Sequence, residues 1–339
     1  MRSFISFFSI AAVALSLYAG DAPRGIFCIL VGDYEAPDAD AILARPEIDG
    51  ITFYNSWRTV EPSEGNVRWQ AYDTVLAAAE KHGKRAVFSL NTGNWISNWV
   101  YDKGVKKISF TSADDYMTGK VTTRAHASPV PWDPVFLDLF SVTVKKFGAR
   151  YNSRQGLAAV NITGPAPENG IEPCMPLGGR DELLEVNGYT AEKFTGAWKR
   201  MIDTFAASFP SHRLVMATHD MFGSKRFAEP SMLIHRYGFS AYPERYGISA
   251  LFLTHDAWFG PENSTVKIVT SFAGKGHTGM QLIRKYKMKE LPASDVAAAM
   301  EKGITLCKAD WIEVFKDDVN YAPYRDVLTK FHTRLTGGK

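Results

Sequence analysis

The chain predicts an α/β fold, a single-domain (β/α)8 TIM barrel, on three observations. Short apolar runs alternate with helical patterns from Gly25 to Asn320, the runs come close to eight in number, and two long loops follow the third and fourth runs. Such alternation belongs to parallel sheets with crossover helices rather than to sandwiches. With 339 residues, 45% of them hydrophobic and 22% charged, the chain is long enough for one large core.

In chain order, strands are predicted at Gly25 to Val31 and Gly50 to Tyr54. A helix from Trp69 to His82, stopped by Gly83, leads to a third strand at Arg85 to Asn91. After the loop from Gly93 to Asp133 come a helix at Pro134 to Tyr151 and a fourth strand at Ala158 to Thr163. The loop from Gly164 to Thr190 precedes a helix at Ala191 to Phe209, closed by Pro210, and a fifth strand at Arg213 to Thr218. The sixth strand is placed at Ser249 to Thr254 and a weak seventh at Gly279 to Leu282. A helix from Ser294 to Gly303 then precedes the eighth strand, Trp311 to Phe315. Each helix carries apolar positions at helical spacing. Connections well beyond the usual ~2 to 6 residues are commonly functional, and these two fall on the C-terminal face, where barrels carry their chemistry.

At the N-terminus Arg2 precedes the apolar run Phe4 to Leu17, which ends in Ala19 and Gly20. That is the form of a secretory signal peptide, so residues 1–20 are expected to be removed and 21–339 to form the barrel of a secreted or periplasmic protein. The run is shorter than the ~20 apolar residues of a spanning helix, so no stable membrane insertion is expected. A formal charge of +3, with no basic block beyond Lys103 to Lys107, argues against nucleic acid and for a neutral or weakly charged partner. Cys28, Cys174 and Cys307 are odd in number and lack C-x-x-C spacing, so neither a disulfide framework nor a cysteine zinc site is expected.

One unit is more specific. The run Gly50 to Trp57 is followed by the turn Glu61-Pro62-Ser63-Glu64-Gly65, by Trp69 and Asp73 in a helix, and by His82-Gly83-Lys84 leading into the strand that ends near Leu90. This order resembles (β/α)8-barrel glycoside hydrolases of the large retaining clan that includes β-galactosidases, cellulases and mannanases. The resemblance covers this unit tightly and the rest of the chain loosely. It implies a carbohydrate substrate, no cofactor and a two-carboxylate mechanism, in which one carboxylic acid protonates the leaving oxygen while a second carboxylate attacks the anomeric carbon or activates water.

The clan carries its acid/base in an Asn-Glu pair after the fourth strand. Here Val160 to Glu172 offers Glu168 and Glu172 instead. Glu172 is preferred, because Ile171 and Pro173 can desolvate it and raise its pKa as a general acid requires, whereas Glu168-Asn169-Gly170 reads as an exposed turn. The clan's nucleophile ends the seventh strand, where this chain has Gln281, which cannot attack. Glu313, a lone charge in an apolar strand, is the replacement, with Asp256 after the sixth strand as a further candidate. Alternation turns Glu313 to the side of Trp311 and Phe315; buried there, it needs either an ion-pair partner such as Arg58 or Arg85, or a functional role.

Sugar binding calls for flat aromatics against C–H surfaces and amides against hydroxyls. Tyr54, Asn55, Trp57, Asn91, Trp95, Trp99, Trp132, His219, His255, Asp256, Trp258 and Gln281 are the candidates at strand ends and loops. Trp57 is equally compatible with a core position. The expectation is a glycoside hydrolase in which Glu172 is the acid/base and Glu313 the nucleophile. The alternatives are an inactive barrel that binds carbohydrate and a metal-dependent hydrolase using His219-Asp220 and His255-Asp256.

Overall fold

The computed structural model describes residues 22–113, 123–175, 182–219, 228–283 and 286–337. The expected signal peptide and Asp220 lie outside them. Eight parallel strands close into a barrel: β1 (Gly25–Val31), β2 (Gly50–Ser56), β3 (Arg85–Asn91), β6 (Leu157–Asn161), β7 (Arg213–Ala217), β8 (Tyr246–Leu253), β9 (Thr278–Leu282) and β10 (Trp311–Phe315). β1 pairs with β2 on one side and with β10 on the other, which closes the ring. All eight predicted strands are present, the weak seventh included. Among the described residues no helix is long and apolar enough to cross a membrane.

The expected helices form as Gln70–Lys81, Pro134–Tyr151, Ala191–Ser208 and Ala293–Thr305. Asp133 and Thr190 cap two of them by accepting from the backbone N–H of Phe136 and Lys193. Gly303, expected as a stop, lies inside the last of these helices; an internal glycine costs about 1 kcal/mol, which tertiary packing readily offsets. The loop after β3 is not irregular throughout. It contains an antiparallel hairpin, β4 (Lys107–Ala113) and β5 (Thr123–Pro129), outside the barrel. Ile108 and Phe110 alternate inward there, a period-two signal that the long polar context masks.

Alternation along the strands sorts the barrel interior into levels. The floor is apolar, with Phe27, Val87, Ala159, Val215 and Trp311 in one cluster. Two rings this large fit only because their neighbours lack side chains: a Cβ on Gly279 would lie 2.0 Å from the Trp311 indole, and one on Gly50 would lie 2.4 Å from Phe27. Two residues beyond Val87, Ala159 and Trp311 come Ser89, Asn161 and Glu313, and two beyond Gly50, Gly247 and Gly279 come Thr52, Ser249 and Gln281, so the middle of the barrel is polar. Above them Ile29, Tyr54, Ala217 and Phe315 form an apolar collar, completed by Ile171 from the loop after β6.

The Glu61-Pro62 turn serves the fold. Glu61 is buried and accepts from Trp57 Nε1, Thr143 Oγ1, Lys146 Nζ and the Gly65 N–H, which ties the loop after β2 to the Pro134–Tyr151 helix. Burial alone would raise its pKa, but these bonds together hold it below the ordinary value. Its stabilisation is therefore present at neutral pH and lost as pH falls through the carboxylate range. Glu61→Ala leaves buried donors unpaired and is expected to cost about 3 kcal/mol or more, read as a lower urea midpoint at pH 7, with the gap from the parent narrowing toward pH 4.

Candidate active site

Glu313 sits in the middle of β10, its Cα level with Phe27 of β1 and Gln281 of β9. It is 4% exposed. Its Oε1 accepts from Thr52 Oγ1 at 2.9 Å and from Trp311 Nε1 at 3.2 Å, and its Oε2 from the Tyr54 hydroxyl at 2.9 Å. No lysine or arginine pairs with it among the described residues. Arg58 lies over the Trp95 ring, and Arg85 donates to the Gln155 carbonyl, so neither expected ion-pair partner serves. Burial raises the Glu313 pKa, and the three hydrogen bonds only partly offset it.

The Tyr54 hydroxyl also reaches Gln281 Oε1, at 3.1 Å. A phenol has one proton for these two acceptors. It belongs to Glu313 while that group is ionised and is freed for Gln281 once Glu313 takes up a proton. Gln281, where the resemblance expects a nucleophile, is thus an acceptor at the end of a short relay.

The second carboxyl arrives from the loop after β6, which folds back over the barrel. Asn94 N–H donates to the Glu168 carbonyl, Glu168 N–H to Ser128 Oγ, and Thr92 Oγ1 to the Gly164 carbonyl. Gly170 has φ +65°, and a Cβ there would meet Thr92 Oγ1 at 2.1 Å, so the fold-back requires glycine. Ile171 enters the apolar collar beside Tyr54 and Phe315, and Glu172 follows it, 6% exposed.

Glu172 Oε1 accepts from Asn169 Nδ2 at 3.3 Å, while Oε2 is buried with no hydrogen-bond partner among the described residues. Burial raises its pKa, opposed by the charge of His219 and by Asn169. Tyr54 feels both carboxyls: burial first, then Glu313, then Glu172 push its phenol up, and Asn161 opposes them. Glu313 thus acts on Tyr54 by a direct hydrogen bond and Glu172 through its charge. Glu168 is only half-buried, holds φ +65° and pins the loop through its main chain, so of the two it is Glu172 that enters the barrel mouth.

The other predicted residues divide by geometry. Asn91, half-buried at the end of β3, accepts from Ser89 Oγ at 2.8 Å on the inner face. Trp95 and Trp258 are 46% and 47% exposed. Trp258 stacks on Phe252 and donates to Asp256 Oδ2, while the His219 ring lies 4.6 Å from the same Phe252. Four candidates are held elsewhere: for Asn55, Trp99 and Trp132 this corrects the expectation, and for Trp57 it decides for the core position left open by the sequence. Asn55 alternates outward and donates to Asp33 Oδ1. Trp57, 1% exposed, is packed among Trp99, Phe136 and Phe140. Trp99 donates to the Glu61 carbonyl and lies edge-on to Trp57, so both indoles belong to the core between loop and helix. Trp132 likewise donates to the Asn187 carbonyl.

His255 Nε2 lies 3.4 Å from both Asp256 and Asp295, and Asp256 accepts from Thr254 Oγ1. Among the described residues no group of three His, Cys, Asp or Glu could hold a metal ion, so nothing in the geometry favours a metal-dependent hydrolase. Thr52, Trp311, Asn161 and Asn169 were not singled out in the sequence. Trp311 and Thr52 were accessible to period-two reasoning from Glu313, whereas Asn169 needed the path of the loop.

No protein family matches the sequence, and neither does any curated protein. Solved structures do match. The β-galactosidase from the psychrophilic Marinomonas ef1 superposes with a TM-score of 0.56 at 10% identity, over 92% of this chain and 59% of that one. A psychrophilic glycoside hydrolase family 10 endo-β-1,4-xylanase gives 0.51 at 14%, over 85% and 86%. The catalytic domain of the major endoglucanase from Xanthomonas campestris pv. campestris gives 0.52 at 11%, over 94% and 96%. The shared feature is the closed (β/α)8 barrel. The chain spans about three fifths of the β-galactosidase's length, and at these identities the likeness concerns architecture alone.

The raised pKa of Glu313 has a sign that separates function from scaffold. The folded protein keeps the Glu313 proton to higher pH than the unfolded chain does, so stability falls as pH rises through that interval. Glutamine can keep the bonds from Thr52 and Trp311 and donate to the Tyr54 oxygen. Glu313→Gln is therefore expected to raise Tm at pH 7 by about 2 °C or more, with the gain vanishing near pH 4. A lower Tm at pH 7 identifies the carboxylate as a structural anchor.

Proposed function

We propose that the chain is an exported glycoside hydrolase that cleaves a polysaccharide or its oligosaccharides with Glu172 as acid/base and Glu313 as nucleophile. One observation carries this reading: two buried carboxyls, Glu313 hydrogen-bonded to Tyr54 and Glu172 following Ile171 of the same apolar collar, are held without a lysine or arginine partner among the described residues. The fold neighbours add the architecture in which such pairs occur.

The division of roles follows from the surroundings. Glu172 Oε2 is buried with no hydrogen-bond partner among the described residues, conditions that favour the protonated acid and leave its proton available for a leaving oxygen. Glu313 meets three donors, a hydroxyl, a phenol and an indole N–H, and the indole can only donate. That set favours the carboxylate, the form required to attack an anomeric carbon or to stabilise positive charge there. As Glu313 gives up negative charge to the sugar, the Tyr54 proton is released toward Gln281. Water activated by the deprotonated Glu172 then completes the retaining cycle. Trp95 and Trp258, exposed in the loops after β3 and β8, supply flat apolar faces for sugar rings.

Leaving-group chemistry tests the assignment. Glu172→Gln is expected to lower kcat by about 10²- to 10⁴-fold on natural glycosides but far less on aryl glycosides whose leaving group needs no proton, while Glu313→Gln abolishes turnover of both. Equal activity of the parent and both variants on a hydrolysed glycan removes the pair from the mechanism. Proton NMR of the first-formed product is expected to show the anomeric configuration of the substrate retained.

A further inference from the structure

We propose that Arg58 and Trp95 form a subsite at the barrel mouth for an anionic sugar residue, one bearing a carboxylate or a sulfate ester. The proposal rests on the reading of this face as a glycan cleft and names a class of substrate for it. Arg58 follows the C-terminal end of β2 by two residues, and Trp95 follows β3 by four, so both stand on the face that holds Glu172 and Tyr54.

The pair is held rigidly from below. Arg58 N–H donates to the Trp95 carbonyl at 2.8 Å, and Trp95 N–H to the Thr92 carbonyl at 2.9 Å. Ser97 Oγ and Trp99 Nε1 both donate to the Glu61 carbonyl, which cross-links the loops after β2 and β3. Above this base the Arg58 guanidinium carbon lies 5.4 Å from the centre of the indole ring. Trp57 and Trp99 of the same two loops are packed into the core, yet Trp95 remains 46% exposed.

Arg58 is exposed and has no carboxylate partner among the described residues. The acids of its own segment are committed elsewhere: Glu61 to Trp57, Thr143 and Lys146, and Glu64 to Lys103. A planar guanidinium lying over an indole keeps its N–H edges free, and those edges match the paired oxygens of a carboxylate or a sulfate. The part of the indole that Arg58 leaves exposed offers apolar surface to the ring that carries the anion. The small net charge of the whole chain does not oppose this, because recognition of one anion needs one local cation.

Native gel electrophoresis through gels containing dissolved polysaccharide tests the proposal, with polygalacturonate for carboxylates, carrageenan for sulfates and hydroxyethylcellulose as the neutral control. The parent protein is expected to be retarded in one or both anionic gels, with apparent Kd rising about tenfold or more in Arg58→Ala and in Trp95→Ala. Arg58→Lys, which keeps the charge but loses the planar fork, is expected to fall between. Lys330→Ala on the Arg325–Thr336 helix controls for bulk charge and is expected to match the parent. Which anionic gel responds distinguishes carboxylate from sulfate. The proposal is overturned by retardation only in the neutral gel, by no retardation in any gel, or by anionic retardation that is unchanged in Arg58→Ala or equally weakened in Lys330→Ala. Hydrolysis is scored separately with Glu172→Gln and Glu313→Gln. Retention of acidic glycans without turnover fails the enzymatic reading alone, and turnover of neutral glycans without acidic retention fails the subsite alone.

Discussion

Glu313 is buried inside a closed barrel and takes hydrogen bonds from Thr52, Tyr54 and Trp311. Much of the interior is arranged around that requirement. Trp311 must aim its indole N–H upward while its ring fills the floor, so Gly279 beside it has no side chain. Thr52 must be a hydroxyl between Ile51 and Phe53. Tyr54 must stand in the collar with its phenol pointing down, and Gln281 is there to accept its hydrogen bond when Glu313 no longer does. The polar middle level of the barrel is thus a solvation shell built from side chains.

Three buried carboxyls in this chain show that burial alone does not decide a pKa. Glu61, with Lys146 and three neutral donors around it, is held below the ordinary range. Glu313, with three neutral donors and no cation, and Glu172, with a single amide donor, are both raised. The first is arranged as an anchor, stabilising as a charge. The other two destabilise the fold as charges, a cost that a scaffold has no reason to keep and that proton transfer or nucleophilic attack requires. Glu172 and Glu313 differ in the donors they meet, and the proposed division into acid and nucleophile rests on that difference.

The barrel was legible because its signals are local: apolar runs of strand length, helices at helical spacing, and glycine or proline at their ends. The hairpin in the loop after β3 was missed because its alternation is short and set among polar residues. The burial of Glu313 and Glu172 was legible for opposite reasons, one as a charge out of place in an apolar strand, the other through apolar neighbours in a polar loop. The tryptophans were not separable by sequence. Trp57, Trp95 and Trp99 share composition and loop context, and only the backbone path sends two indoles into the core against Glu61 and one outward under Arg58. Asn55 went wrong by one step of alternation, which turns it from the inner face to Asp33.

The most direct test of the central claim, that Glu172 and Glu313 work as one pair, is a crystal structure of the Glu172→Gln protein holding an oligosaccharide that the parent cleaves. The account predicts the glycosidic oxygen within hydrogen-bond reach of residue 172 and the anomeric carbon facing Glu313 above Tyr54. A sugar bound with its scissile bond elsewhere, or Glu313 still sealed from the ligand by Phe315 and Ile171, contradicts it.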